Sequence, residues 1–186
     1  EEKLDKIVTE TVGKDLSLIG GIPPWVQMYF DRIVEITGKP VIEIFPNLQV
    51  LVQGGVNFEP YKTKLFDTIG KQIDTIELFP ASEGFFAYQD TRTEPGLLLN
   101  TNSGIFYEFI PLANVHDEAP IRISLADVQL GEQYAMVINS NAGLWGYHLG
   151  DTIKFVSIDP YRVIVTGRVK HFISAFGEHV IGEEVE

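Results

Sequence analysis

The chain has 186 residues, 45% of them hydrophobic and 11% aromatic, enough to bury a core as one domain or two small ones. It carries 26 acidic residues against 14 basic ones, a formal charge of −12, so its average field repels phosphate backbones and anionic membrane surfaces, and neither nucleic acid nor membrane is an expected partner. There is no cysteine and no apolar run long enough for a signal or membrane segment, which excludes disulfide scaffolds and thiolate zinc sites and makes the cytoplasm the expected location. A small nucleotide stays open, because local backbone donors, a magnesium ion and one or two cations hold it irrespective of net charge. The opening on Glu1 and the stop at Glu186 inside a charged, helix-like stretch lead us to expect a fragment.

In chain order, Leu4, Ile7, Val8 and Thr11 recur at helical spacing before Gly13 and predict a short amphipathic helix. After Gly20–Gly21 and Pro23–Pro24, the apolar face Val26, Tyr29, Phe30 and Ile33 predicts a second helix closed by Gly38 and Pro40. An apolar run over Leu48–Gln53, a glycine pair, a helical pattern from about Pro60 to Ile69, Gly70 and a run over Ile73–Phe79 then read as a βαβ unit. Parallel strands in such a unit bring the turns after Gln53 and Phe79 to one carboxyl edge, where ligands of open α/β sheets bind. From Gly96 the texture changes to short strands near Leu97–Leu99, Ile105–Ile110, Tyr134–Asn139, Gly146–Phe155 and Arg162–Thr166, a β-barrel or bent antiparallel sheet. The expected class is thus α/β, with an α/β part over 1–92, a β-rich, barrel-like antiparallel part over 93–166, and a tail over 167–186 that enters a further domain.

Four segments could carry chemistry. Gly54–Gly55 follows a strand and would let the backbone approach a flat ligand; it also serves as a plain strand-to-helix turn. In Pro80-Ala81-Ser82-Glu83-Gly84, Ser82 can donate to a phosphate oxygen and Glu83 offers a hard carboxylate for magnesium, or the stretch is simply a polar turn. Asp151, behind Gly150, could accept bonds from two ribose hydroxyls, as acidic residues do in other nucleotide sites, and an aspartate in a hairpin is equally ordinary. Arg168 and Lys170 are cations just after a strand in an acidic chain, with Arg168 able to fork onto a phosphate or to form a surface ion pair.

Other chemistries find less support. His116, His148, His171 and His179 lack a metal-ligand spacing such as H-E-x-x-H, Ser82 lacks a G-x-S-x-G elbow, and no G-x-x-x-x-G-K-[ST] loop is present.

Taken in order, the segments Gly21-Ile22-Pro23-Pro24-Trp25, Phe45-Pro46-Asn47-Leu48, Gly54-Gly55-Val56, Ala81-Ser82-Glu83-Gly84-Phe85, Gly104 to Phe109, Ala142-Gly143-Leu144-Trp145, Gly150-Asp151-Thr152 and Gly167-Arg168 resemble the auxin-responsive promoter family. These are acyl acid-amido synthetases of the firefly-luciferase-like adenylate-forming superfamily. The resemblance implies a ligase that uses ATP to convert a carboxylic acid to acyl-AMP and passes the acyl group to an amine, usually an amino acid. It implies that Gly54 and Gly55 line the adenine, Ser82 meets the α-phosphate, Glu83 binds Mg2+, Asp151 holds the ribose, Arg168 approaches the nucleotide, and a hinge lies at Val169–Lys170.

Two positions depart from the family pattern: Gly146 stands where relatives commonly carry arginine, and His148 where a basic residue is usual. The lost cation at 146 is expected to weaken phosphate binding. The family's phosphate loop would precede Glu1 and its C-terminal domain with a catalytic lysine would follow Glu186, so this stretch alone is expected to be inactive. Transfer to coenzyme A instead of an amine, and a non-catalytic nucleotide- or acyl-binding protein, are the alternatives.

Overall fold

The computed structural model describes residues 2–56 and 58–169, and contacts divide the chain into a unit ending at Pro80 and a unit beginning at Ala81. In the first unit α1 (Glu2–Thr11) leads to β1 (Leu18–Gly21), α2 (Pro23–Thr37), α3 (Val41–Ile44), β2 (Val50–Gly54), α4 (Glu59–Ile69) and β3 (Asp74–Ala81). The prolines at the starts of α2 and α4 occupy first-turn positions whose N–H has no helical partner anyway. Left-handed Gly38 and Gly70 close the same helices, their N–H groups donating to Val34 and Phe66 carbonyls at 2.8 and 2.9 Å.

Strands β1, β2 and β3 pair in parallel in that order, with Leu18 opposite Val50 and Gly54 opposite Leu78. The expected βαβ unit is therefore present, and β2 and β3 end at one edge. Phe30 and Ile33 of α2, Val41, Phe45, Leu48, Leu51, and Leu65 and Ile69 of α4 are fully buried together. The apolar periodicity that predicted these elements is the periodicity of this core. β1 lacks such a signal, since three of its four residues are exposed.

The second unit is built from β4 (Gly84–Tyr88), β5 (Leu97–Leu99), β6 (Ile105–Pro111), β7 (Ile123–Ser124), β8 (Gln133–Ser140), β9 (Tyr147–Ile158) and β10 (Tyr161–Arg168). Their order is β4-β5-β10-β9-β8-β6-β7, and all the pairings within it are antiparallel. The antiparallel sheet expected for this half is thus present, with no pairing between β7 and β4 among the described residues. β8 is buried at every position from Tyr134 to Ile138, which means both faces of the sheet are covered. One face carries Tyr107, Phe109, Tyr134 and Phe155, with Phe109 and Phe155 edge to face at 5.2 Å between centroids. The other carries Ile110, Ala135 and Val137, packed with Val169.

The division at Pro80 and Ala81 lies before β4, whereas the expected boundary at 92 leaves that strand with the α/β part. The physical reason is pairing: Ala87 and Tyr88 of β4 lie opposite Leu99 and Leu98 of β5. Of the tail 167–186, only Gly167, Arg168 and Val169 are among the described residues; Lys170, His171, His179 and the apolar piece Phe172–Phe176 lie outside them.

Candidate functional site

Ser82 and Glu83 form the two-residue turn that joins β3 to β4. Ser82 is exposed and Glu83 half-buried. The Tyr147 hydroxyl, at the first residue of β9, donates to Glu83 Oε1 at 2.8 Å. That bond, followed by burial and the carboxylate's charge, holds the phenol above its ordinary range, while the charge of Arg168 acts in the opposite direction. Arg168 therefore lies within electrostatic reach of the Glu83–Tyr147 pair.

Asp151 sits on a bulge of β9. Opposite β8, Ala135 faces Thr152 and Val137 faces His148, so three residues of β9, Leu149 to Asp151, answer the single Met136. A bulge leaves ladder acceptors unpaired and re-aims a side chain. Here the acceptors are taken from the β10 side: Arg168 Nη2 donates to the Leu149 carbonyl at 3.1 Å and the Val169 N–H to the Gly150 carbonyl at 2.8 Å. Arg168 Nε also lies 3.1 Å from Asp151 Oδ1, as an ion pair rather than an aligned hydrogen bond. Asp151 and Arg168, singled out separately in the sequence, are thus brought together, and Val169 is buried.

The turn before Tyr147 is held by a polar chain. Asn139 Oδ1 accepts from the Gly146 N–H at 2.6 Å, Asn139 Nδ2 donates to Glu108 Oε2 at 2.9 Å, and Arg122 Nη1 lies 3.5 Å from the same carboxylate oxygen. Gly146 is left-handed at φ 58°, and a Cβ there would stand 2.7 Å from Arg122 Nη1. A cation therefore lies against position 146 although the position itself carries none. His148 is half-buried and held below its ordinary range, first by burial and then by the Arg122 charge, so it is neutral at pH 7.

Gly54 and Gly55 belong to the first unit. A Cβ on Gly54 would run into the Leu78 carbonyl oxygen of β3 and come within 3.3 Å of Pro80 Cδ, so the close approach of two backbones already requires glycine there. Gly55 is exposed.

Sequence pattern gives Tyr147, Asn139 and Arg122 no role. Tyr147 is 64 residues from Glu83, and only the fold brings the two together. Among the described residues no three of His, Cys, Asp and Glu converge on one metal position. No helix among them is long and apolar enough to cross a membrane.

Residues 98–168 match the model of the GH3 family central domain. Over these residues the chain is similar to that family. The match takes in β5 to β10 and hence Tyr147, Asp151 and Arg168. Beyond it, the chain is 34% identical over 119 residues to the jasmonoyl-L-amino acid synthetase JAR4 of Nicotiana attenuata, covering 60% of this chain and 20% of that protein. It is 39% identical over 49 residues to the indole-3-acetic acid-amido synthetase GH3.3 of Arabidopsis thaliana, covering 26% and 8%. The chain thus spans about a fifth of the jasmonoyl synthetase or less of the indole-3-acetic acid enzyme.

Two solved structures have the same fold. One is the GH3.15 acyl acid amido synthetase, with a TM-score of 0.54 at 15% identity over 68% of this chain and 23% of that one. The other is an open conformation of 2-hydroxyisobutyryl-CoA ligase in complex with 2-HIB-AMP and CoA, with a TM-score of 0.66 at 13% identity over 94% and 41%. The second shares the mixed α/β architecture of this chain. The acyl acid-amido synthetase resemblance read from the sequence holds.

Proposed function

We propose that this chain contributes the adenine, ribose and magnesium parts of the nucleotide site in a cytoplasmic, ATP-dependent ligase. That ligase activates a carboxylic acid as acyl-AMP and passes the acyl group to the amine of an amino acid. The observation that carries the reading is the gathering of Glu83, Tyr147, Asp151 and Arg168 within one unit, by a 2.8 Å hydrogen bond and a 3.1 Å ion pair that meet at the start and bulge of β9. The identity to amino acid-amido synthetases favours an amine as acceptor.

In this reading Asp151 accepts hydrogen bonds from the ribose hydroxyls, and Arg168, 3.1 Å away, holds its carboxylate in place. Ser82, exposed on its turn, donates to the α-phosphate, and Gly54–Gly55 line the base. The donor set at Glu83 suits magnesium, which takes oxygen ligands and usually one or two from protein: Oε1 is engaged by Tyr147, and Oε2 is the second hard oxygen. When bound, the ion would neutralise phosphate charge as pyrophosphate departs. The hinge belongs at Val169–Lys170, just after the residues that bind the bulge.

The test is ATP–pyrophosphate exchange by the full-length protein against a panel of carboxylic acids, with Glu83→Ala as control. Acid-dependent exchange that the variant loses is the expected result, and products formed with free amino acids or with coenzyme A then identify the acceptor. ATP binding without exchange on any acid would favour the non-catalytic alternative.

A further inference from the structure

We propose that Tyr147 is a positioning residue for Glu83, holding Oε1 with its hydroxyl so that Oε2 is the oxygen presented to a divalent cation. This inference rests on the reading of Glu83 as the magnesium ligand. Glu83 projects from a two-residue turn, and its side chain has three rotatable bonds whose freedom is lost whenever the carboxylate binds an ion. A donor fixed on a rigid element takes that loss in advance, which is how a partner outside the ligand shell raises metal affinity.

Tyr147 is such a donor. It opens a strand paired on both sides, with Ile138 of β8 opposite it. The residue before it is tied down as well, since the Gly146 N–H donates to Asn139 at 2.6 Å and Asn139 donates in turn to Glu108 at 2.9 Å. The hydroxyl therefore stands at the end of a chain of fixed bonds that begins on β6, and it donates to Glu83 Oε1 at 2.8 Å. A neutral donor is the right chemistry: it leaves the carboxylate its full charge, where a lysine or arginine would compete with the cation. Tyr147 is partly exposed, so loss of its hydroxyl alone leaves the fold intact.

The experiment measures ATP affinity of the full-length protein by titration calorimetry across a magnesium series and in EDTA, for wild type, Tyr147→Phe, Glu83→Gln and the double variant. Tyr147→Phe is expected to raise the magnesium concentration that gives half the full enhancement of ATP binding by about 10-fold. Its ATP affinity in EDTA and its melting temperature should match wild type, and in the Glu83→Gln background it should add nothing. A wild-type magnesium requirement in Tyr147→Phe, alongside a raised one in Glu83→Gln, overturns the role of Tyr147 and leaves the reading of Glu83 standing. A wild-type requirement in Glu83→Gln overturns that reading and this inference with it. An equal loss of ATP affinity with and without magnesium in Tyr147→Phe also overturns it, since the tyrosine would then act on something other than the carboxylate.

Discussion

Arg162 of β10 clasps Asp90, in the loop after β4, through two parallel bonds: Nη1 to Oδ1 at 2.6 Å and Nη2 to Oδ2 at 2.8 Å. The guanidinium is buried and the carboxylate keeps one side to water, so the pair lies between a surface bridge and a core one. Asp90→Ala leaves the buried cation without its fork and should destabilise by about 1–3 kcal/mol in urea denaturation. The Arg162 bond holds the Asp90 carboxyl below its ordinary 3.8, so its contribution is present above that value and is lost as pH falls through the folded-state one. The gap between wild type and variant should accordingly close in acid.

Gly96 and Gly104 are both left-handed, at φ 79° and 75°, yet they sit in different surroundings. An added Cβ on Gly96 would stand 2.6 Å from Val156 Cγ2 and 2.9 Å from the Val163 carbonyl oxygen, which backbone pairing prevents from moving away; at Gly104 it would meet nothing within 4 Å. Gly104→Ala should cost about 1 kcal/mol for backbone strain alone, and Gly96→Ala about 2–4 kcal/mol. Midpoints of chemical denaturation for the two variants measure the difference, and equal midpoints would show that the contact at 96 relaxes.

His148 should give the protein a pH-dependent stability. Its folded-state value lies below the ordinary 6.5 because burial and the Arg122 charge disfavour the imidazolium, so below that pH the unfolded chain binds the proton more readily than the folded one. Stability should fall as pH drops through 6.5 toward the folded-state value. His148→Gln should flatten that part of the curve, and an unchanged slope between pH 8 and 5 would reject the assignment.

Asp151→Ala should weaken ATP binding by about tenfold or more, the loss expected for hydrogen bonds to a charged acceptor. Titration calorimetry on the full-length protein reads this directly. Unchanged affinity would count against the ribose role.

Much of this architecture is legible in the sequence wherever burial is periodic and ends are marked. Pro23–Pro24, the spacing of Val26, Phe30 and Ile33, and Gly38 delimit α2 closely, and the apolar runs around Leu51 and Phe79 yield the βαβ unit. β1 and α3 escape because four residues hold too little pattern to separate them from turns. β4 is ambiguous for another reason: Phe85, Phe86, Ala87 and Tyr88 are apolar without alternation, and only pairing with β5 assigns them. At the site, Ser82, Glu83, Asp151 and Arg168 are visible as turn residues beside glycines. The hydroxyl on Glu83, the Asn139 tie and the Arg122 cation against Gly146 come from contacts 64, 7 and 24 positions apart that no local spacing encodes.

The bulge in β9 ties Asp151 to the end of β10. The carbonyls of Leu149 and Gly150 are satisfied by Arg168 and by the Val169 N–H, the last two described residues, and the carboxylate of Asp151 is the next group along. Displacing Arg168 must break or strain those bonds, and with them the support of Asp151. Two residues of β9 therefore answer to one side chain of β10, and a substitution at Arg168 would reach the Leu149 carbonyl and the Asp151 carboxylate together.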